Sequence, residues 1–308
     1  MQMLKRIMLT FVALMFSHVA MAEKETQTLI LNLKDKVHGI AKVPVEISYP
    51  NKGDGPFPLI ITQHGSTRDG HIFKGRLGKS DEYSRRLMMA AVQQGYAVAV
   101  IDAFYKKGLK GSDKQKFPKA SQYGLQLAKR LAKDPKIDAK NISYTGFSYG
   151  AAQVNRMLLA TQNSKKGFDF AALVAAEPGC NAFVEPSNYP VPYLVLKGGE
   201  SHYQSEPCEI MISLYKNAGM NISLKEFPKS NHFFSHNGQV VKGVAVNGCP
   251  DNPMIITKKG PVWHKDGTRV KKSERSACFT KTGGKGKSRE DLDDAVAAVI
   301  NFITEHRR

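Results

Sequence analysis

Apolar and polar positions alternate along this chain with two periodicities, one typical of buried strands and the other of helices that cover a sheet. Short apolar runs predict strands, in segments 59–62, 96–101, 141–145, 170–175, 193–196 and 222–227. Longer segments with apolar residues three and four positions apart predict helices, at 80–94, 120–132, 151–160, 209–217 and 289–305. Segments 29–33 and 43–49 predict an entry hairpin. The alternation therefore predicts an α/β fold with a doubly wound, mostly parallel sheet.

A long segment before the last predicted helix breaks this alternation. Residues 235–288 exceed an ordinary connection, which predicts an insertion. The chain has four cysteines, Cys180, Cys208, Cys249 and Cys278, and these allow three pairings. Chain order favours Cys180 with Cys208 and Cys249 with Cys278, because each pair encloses one loop-rich segment. A metal site is disfavoured, since the sequence has no Cys-x-x-Cys and no short histidine spacing beside a cysteine.

The beginning of the chain has the features of a cleaved signal peptide. Lys5 and Arg6 precede an apolar stretch, and small residues stand at the −3 and −1 positions of a cleavage site that ends at Ala22. The stretch of about 13 apolar residues is too short for a membrane anchor, which needs roughly 20. We therefore expect removal of residues 1–22, which leaves residues 23–308 as a single domain without a transmembrane segment. Export to the periplasm or the medium also suits disulfides.

Basic residues outnumber acidic ones strongly, with a formal net charge of +18. They are spread over the chain without a recognisable nucleic-acid-reading motif, so we interpret the excess as general surface charge and expect no nucleic-acid partner. The densest basic segment, residues 258–289, begins at Lys258 and ends at Arg289. We interpret it as a solvated part of the insertion that is suited to contact with an anionic surface.

The clearest candidate chemistry lies at residues 146–150, which read Gly-Phe-Ser-Tyr-Gly between a predicted strand and a predicted helix. In that context Gly-x-Ser-x-Gly is a nucleophile elbow, whose glycines permit the sharp turn that exposes the serine hydroxyl. Ser148 is the candidate nucleophile. Other strand ends meet at the same edge of the sheet, so the backbone N–H groups of Tyr149 and Ser66 are the predicted oxyanion hole.

Three histidines follow predicted strands or lie near one. His232 comes after the strand at 222–227 and is the candidate base, because elbow hydrolases order their residues as serine, acid and histidine. His236 is the reserve candidate. His64 follows the strand at 59–62 directly, and we interpret it as a structural hydrogen-bond partner rather than a base.

The chain resembles the dienelactone hydrolase-like branch of the α/β-hydrolases over about residues 58–234 and the final helix. The matching motifs are His-Gly-Ser at 64–66, Gly-Phe-Ser-Tyr-Gly at 146–150, Glu-Pro-Gly-Cys at 177–180, Gly-Gly-Glu-Ser-His at 198–202 and Asn-His-Phe at 231–233. The resemblance implies an α/β-hydrolase fold and machinery that cleaves a small-molecule ester or lactone without a cofactor or metal. Members use cysteine or serine as the nucleophile, and the serine makes this chain more similar to esterases.

The acid is the point at which the chain departs from the family pattern. The family usually places an aspartate in a Gly-x-x-Asp turn, and Ser201 occupies that position here. A serine cannot stabilise the imidazolium that forms during catalysis, so another carboxylate has to do so. Glu200 and Glu177 are the two candidates, and the residues do not decide between them. Glu206 is disfavoured because Pro207 begins a predicted helix.

The predicted activity is that of an exported serine hydrolase that cleaves a carboxylic ester or lactone through an acyl-enzyme. Three alternatives stay open. The absent aspartate at Ser201 suits a non-catalytic or weakly active binding protein of the cell envelope. A serine peptidase on the same fold would need a feature that recognises peptides, and the sequence contains neither an acidic pair for an amino terminus nor a propeller-like repeat. The third alternative is a polyanion-binding envelope protein that uses residues 258–289.

Overall fold

The computed structural model describes residues 25–161, 167–232, 248–277 and 291–308. The strands of these residues are β1 (Thr26–Asp35), β2 (Gly39–Ser48), β3 (Phe57–Gln63), β4 (His71–Ile72), β5 (Lys79–Ser80), β6 (Ala97–Ile101), β7 (Ile137–Phe147), β8 (Leu173–Ala176), β9 (Ala182–Val184), β10 (Tyr193–Gly198), β11 (Ile222–Phe227), β12 (Met254–Thr257) and β13 (Gly260–Trp263). Their helices are α1 (Glu82–Gln93), α2 (Ala120–Leu131), α3 (Tyr149–Thr161), α4 (Glu206–Asn217), α5 (Lys272–Ala277) and α6 (Leu292–Glu305).

Eight strands form the central sheet, in the order β1-β2-β6-β3-β7-β8-β10-β11. The β1–β2 and β2–β6 pairs are antiparallel, and every other pair in this sheet is parallel. One apolar cluster includes Leu127 of α2, Val154 of α3 and Met211 of α4, and a second includes Leu87 of α1 and Val299 of α6. The sheet is therefore covered on both faces. The entry hairpin and the doubly wound, mostly parallel sheet predicted from the sequence are confirmed.

A second, smaller sheet was not predicted. It has the order β13-β12-β9, and β12 lies parallel to β9 although the two strands are far apart in the chain. These strands have only three or four residues and are largely half-exposed, so neither their length nor their periodicity distinguishes them from loops. The pairing attaches the described part of the predicted insertion to the segment that follows β8, next to the carboxyl edge of the central sheet.

A disulfide joins Cys180 to Cys208, as predicted. Cys249 is also disulfide-bonded, whereas its predicted partner Cys278 lies outside the described residues. The predicted signal peptide, residues 1–22, lies outside them as well. In the part of the chain that the structure describes, each helix is too short or too polar to cross a membrane.

Removal of the Cys180–Cys208 disulfide by the double change Cys180→Ala and Cys208→Ala is expected to lower the free energy of unfolding by about 3 to 4 kcal/mol. The cysteines are separated by 28 positions, and the entropy of the unfolded chain rises by this order when such a loop is opened. Urea denaturation of the parent and the double variant measures the difference. Equal unfolding midpoints and slopes would contradict the expectation.

Candidate active site

Ser148 occupies the turn between β7 and α3, with a backbone φ of 53°. Its N–H donates to the carbonyl oxygen of Ala176 at 2.9 Å. The glycines on either side are required by close backbone approaches: a Cβ on Gly146 would lie 2.6 Å from the carbonyl carbon of Gly150, and one on Gly150 would lie 2.1 Å from the Gln63 oxygen. A non-glycine residue in the left-handed region is strained. The turn therefore has the geometry expected of a nucleophile elbow.

Glu177 follows β8 directly and lies between the elbow and the end of β10. Its neighbour Ala176 pairs with Phe147 on one side and with Leu196 on the other. The Glu177 side chain is fully buried, and its backbone φ is 58°. The left-handed backbone turns this side chain sharply away from the strand, so that the carboxylate lies at the carboxyl edge of the sheet.

The Glu177 carboxylate is hydrogen-bonded on several sides. Its Oε2 accepts from His232 Nδ1 at 2.8 Å and from Ser201 Oγ at 2.7 Å, and its Oε1 accepts from the Gly198 N–H. The buried Lys197 ammonium lies 3.3 Å away. Burial alone would raise the pKa of Glu177, but the charge of Lys197, the contacts with His232 and the Gly198 N–H lower it to about 2. The carboxylate is therefore ionised at neutral pH.

His232 is buried in the loop after β11. Its ring packs against the rings of Phe147, His202 and Tyr203, with centroid distances of 4.7, 4.5 and 5.4 Å. Because a carboxylate accepts from Nδ1, that nitrogen carries the hydrogen and Nε2 keeps its lone pair. His232 is thus held in the tautomer that a general base requires.

Tyr203 lies beside the histidine and next to Ser201. Its ring centroid is 5.4 Å from that of His232, and its backbone N–H donates to Ser201 Oγ at 3.2 Å. Sequence reasoning missed this residue, although it immediately follows the Gly-Gly-Glu-Ser-His motif. A strand-end aromatic residue has no pattern that separates a functional role from a packing role. Lys197 was missed too, because an isolated lysine within an apolar strand carries no signal of its partner.

The two candidate acids differ in position. Glu177 contacts His232, whereas Glu200 is exposed in the turn after β10, where its N–H donates to the Ser230 oxygen at 3.0 Å. Ser201, which the sequence resemblance places at the expected aspartate position, donates its hydroxyl to Glu177. The hydroxyl thus supports a carboxylate that reaches the site from the neighbouring strand.

The predicted oxyanion hole lies where β3 and β7 end. Tyr149 begins α3, and the first N–H groups of a helix have no acceptor within it. The Tyr149 hydroxyl donates to the Pro118 oxygen at 2.7 Å, in the segment before α2. The Gly65 N–H is already taken by Asp81 Oδ2 at 2.5 Å. The half-buried Ser66 is the next residue in the loop, and its N–H stays the predicted second donor.

Solved structures with similar folds include an esterase from Pyrobaculum calidifontis, with 16% identity over 70% of this chain and 79% of that chain and a TM-score of 0.50. Esterase 2 from Thermogutta terrifontis, phosphorylated by paraoxon, has 14% identity over 69% and 85% and a TM-score of 0.50. A protein described as a dienelactone hydrolase from Klebsiella pneumoniae has 18% identity over 67% and 88% and a TM-score of 0.47. The chain has the α/β-hydrolase fold. No protein-family model matches the sequence, and a search of curated proteins found no match.

Within this fold, His64 anchors the loop that carries Ser66. The His64 ring is fully buried, and its Nε2 accepts from the Ala103 N–H at 3.1 Å. Burial lowers the pKa of His64 to about 4, against the opposing charge of Asp102. The neutral ring therefore has its acceptor nitrogen occupied by backbone, which agrees with the structural role interpreted from the sequence.

Asp81 ties the same loop to helix α1. Its Oδ1 accepts from the Ser84 N–H at 2.9 Å as the N-cap of α1, while Oδ2 holds Gly65. The side chain is fully buried. Burial raises the pKa of Asp81 to about 6 in spite of these hydrogen bonds. One carboxylate thus caps a helix and holds the loop of the predicted oxyanion hole.

The change Asp81→Ala is expected to lower the free energy of unfolding by about 2 to 4 kcal/mol. Loss of an N-cap costs about 1 kcal/mol, and a buried N–H of Gly65 left without its partner costs about 1 to 3 kcal/mol. Urea denaturation measures the change. Asp113→Ala is the control, because Asp113 accepts from the Lys110 N–H on an exposed loop and should change stability by no more than about 0.5 kcal/mol. Similar losses in both variants would contradict the role of Asp81.

Proposed function

We propose that this protein is an exported serine hydrolase that cleaves carboxylic esters or lactones, with Ser148 as nucleophile, His232 as base and Glu177 as acid. The observation that carries the proposal is an elbow serine next to an imidazole whose Nδ1 donates to a buried carboxylate: the His232 ring packs at 4.7 Å on Phe147, the residue directly before Ser148. Similar structures described as esterases add support at the level of the fold. The Cys180–Cys208 disulfide suits an exported protein.

The proposed reaction is a two-step acyl transfer. His232 Nε2 takes the proton of Ser148, and the serine oxygen attacks the ester carbonyl. The N–H groups of Tyr149 and Ser66 stabilise the oxyanion that develops. His232 then gives the proton to the leaving alcohol as the C–O bond breaks, which leaves an acyl-enzyme.

Hydrolysis of the acyl-enzyme repeats these steps with water. His232 takes a proton from the water as it attacks the acyl carbon, and it returns that proton to Ser148 when the acid leaves. Glu177 remains ionised throughout and stabilises the imidazolium through Nδ1. This cycle requires neither a metal nor an organic cofactor.

A fluorophosphonate probe tests the proposal directly. Covalent labelling of the folded protein, mapped to Ser148 by peptide mass spectrometry, is the expected result, and labelling should be lost after heat denaturation. Thermogutta terrifontis esterase 2 is phosphorylated by paraoxon, so pretreatment with paraoxon is a suitable competition. A folded protein that neither reacts with the probe nor hydrolyses short p-nitrophenyl esters would favour the binding-protein alternative. The anionic contact through residues 258–289 stays a separate prediction.

A further inference from the structure

We propose that Lys197 is a positioning residue of the candidate site, whose buried ammonium holds Glu177 as a carboxylate directed at His232 and so lets the base work at lower pH. This inference rests on the proposed function. It assigns a role to a charged group that the two-step mechanism leaves unused. Lys197 contacts Glu177 and takes no part in the steps at the carbonyl, so it acts on the reaction through that carboxylate.

The ammonium of Lys197 bridges the two oxygens of the Glu177 carboxylate. Its Nζ lies 3.3 Å from Oε2 and 3.4 Å from Oε1, and both side chains are completely removed from solvent. Lys197 belongs to β10, and Glu177 follows β8, the neighbouring strand. The pairing of two strands therefore fixes this ion pair, whereas a surface pair has to order two flexible side chains in water.

The other contacts of Glu177 identify its charge state. Ser201 Oγ donates to Oε2 and the Gly198 N–H donates to Oε1, while His232 Nδ1 lies 2.8 Å from Oε2. Hydrogen bonds to a carboxylate favour its ionised form. An ionised carboxylate in a buried site requires a counter-charge, and Lys197 supplies it.

Stability alone does not account for a lysine at this position. Lysine is almost never fully buried unless it is paired, and the neighbours of Lys197 in β10, Val195 and Leu196, are fully buried apolar side chains. A buried ion pair is often no more stable than well-packed apolar side chains of similar volume. The pair therefore points to a requirement of the site, which is a carboxylate at Glu177 that keeps its charge.

The charge of Lys197 keeps Glu177 ionised in acid. Burial alone would raise the pKa of Glu177, but the charge of Lys197 is the largest of the effects that lower it to about 2. Burial lowers the pKa of Lys197 in turn, against the charge of Glu177. The other carboxylates that act on Lys197, Glu226 of β11 and Glu206 of α4, are exposed. Glu177 is therefore its buried partner.

The titratable rings beside His232 are neutral in the relevant pH range. Burial lowers the pKa of His202 to about 3, with the charge of His232 acting in the same direction and Lys114, between β6 and α2, adding a smaller effect. Burial raises the pKa of Tyr203 to about 12. Among the described residues, the buried ion pair is therefore the main charged group next to His232.

Loss of the ammonium would narrow the working pH range from the acid side in either of two ways. If Glu177 keeps its charge, an uncompensated carboxylate makes His232 bind a proton at higher pH, and a protonated ring cannot act as a base. If Glu177 instead takes up a proton, His232 loses the charge that stabilises its imidazolium. Both routes move the acid limb of the activity profile to higher pH.

Lys197→Met tests the inference, because it removes the charge and keeps a side chain of similar length. We expect the acid limb of kcat/KM for p-nitrophenyl acetate to move to higher pH by about 1 to 3 pH units, the range for loss of an adjacent opposite charge. Because kcat/KM reports the groups of the free enzyme, rates from about pH 4 to 9 measure the shift. Circular dichroism at each pH checks that the variant is folded.

Lys136→Met is the matched control. Lys136 forms an ion pair with Glu25 at 3.0 Å and directly precedes β7, at the opposite edge of the sheet from the site, so the same substitution there should leave the profile in place. Lys197→Gln is the second variant, which keeps an N–H donor for the carboxylate without the charge. We expect its acid limb to move in the same direction, and it replaces the methionine variant if that one does not fold.

Parental profiles in both Lys197 variants, with an active parent labelled at Ser148, would overturn the inference and leave the proposed function intact. A uniform loss of activity at every pH would also overturn it, because a merely structural lysine would lower the amount of working enzyme without moving the limb. A folded parent that is inert towards ester and probe would contradict the proposed function itself, and the inference with it.

Discussion

Ser148→Ala is expected to reduce ester hydrolysis by about 10⁴- to 10⁶-fold, because the variant cannot form the acyl-enzyme and retains only the residual effect of binding and the oxyanion hole. Steady-state turnover of p-nitrophenyl acetate and p-nitrophenyl butyrate measures the loss. Fluorophosphonate labelling should disappear in the same variant. The substitution removes one small polar group at a half-buried position, so the free energy of unfolding should change little.

A serine in β7, the strand that precedes the elbow, provides the control for this experiment. Ser143 is fully buried in β7, and its hydroxyl has no hydrogen-bond partner among the described residues. Ser143→Ala should therefore be neutral or slightly stabilising, and it should keep parental turnover. Turnover by Ser148→Ala at the rate of Ser143→Ala would exclude Ser148 as the nucleophile.

Glu177→Gln is expected to reduce turnover by about 10⁴-fold, whereas Glu200→Gln should remain near the parental rate. The amide cannot stabilise an imidazolium by its charge, and it no longer selects the productive histidine tautomer. Glu200 is exposed in its turn, so the matched change there removes a carboxylate of the same kind without touching His232. Turnover by the two variants at pH 7 to 8 measures the difference.

The buried ion pair requires a companion variant. Glu177→Gln leaves the fully buried Lys197 without its partner, and an unpaired buried charge destabilises a protein by about 3 to 5 kcal/mol. The double variant Glu177→Gln with Lys197→Met removes both charges and should recover part of that stability. Its turnover should stay low, because the acid is still absent. Recovery of turnover along with stability would show that the single variant had failed through unfolding.

The acid limb of the stability profile follows from the lowered pKa of Glu177. Its folded-state value of about 2 lies below the ordinary 4.5, so this group contributes stability above about pH 4.5 and loses it as the pH falls towards 2. Glu177→Gln should lack this contribution, which makes its unfolding free energy less dependent on pH over that window.

One result would contradict the assignment of Glu177 as the acid. If Glu177→Gln and Glu200→Gln both keep near-parental turnover while Ser148→Ala is inactive, the acid is another residue or the protein works with a serine–histidine dyad.

Much of the architecture is determined by local pattern. The apolar runs and the three-to-four spacing that follows them predict strands and helices, because burial on a sheet imposes those periods. Parallel strands then place their carboxyl ends at one edge, which is why residues as distant in sequence as Ser148 and His232 were expected to meet. The elbow is also local, since only glycine fits the close approaches at Gly146 and Gly150. The sequence therefore predicted the entry hairpin, the mostly parallel sheet and the elbow.

Tertiary structure alone decided which groups complete the cluster. Glu177 and Glu200 each follow a strand, and their local sequences are equally suited to an acid. Glu177 contacts His232 because β8 lies between β7 and β10 and because a left-handed φ directs its carboxylate into the site. The places of Tyr203 and Lys197 beside the candidate site were likewise known only from contacts between neighbouring strand ends. Such pairings depend on strand order and on the direction of single side chains, which periodicity does not encode.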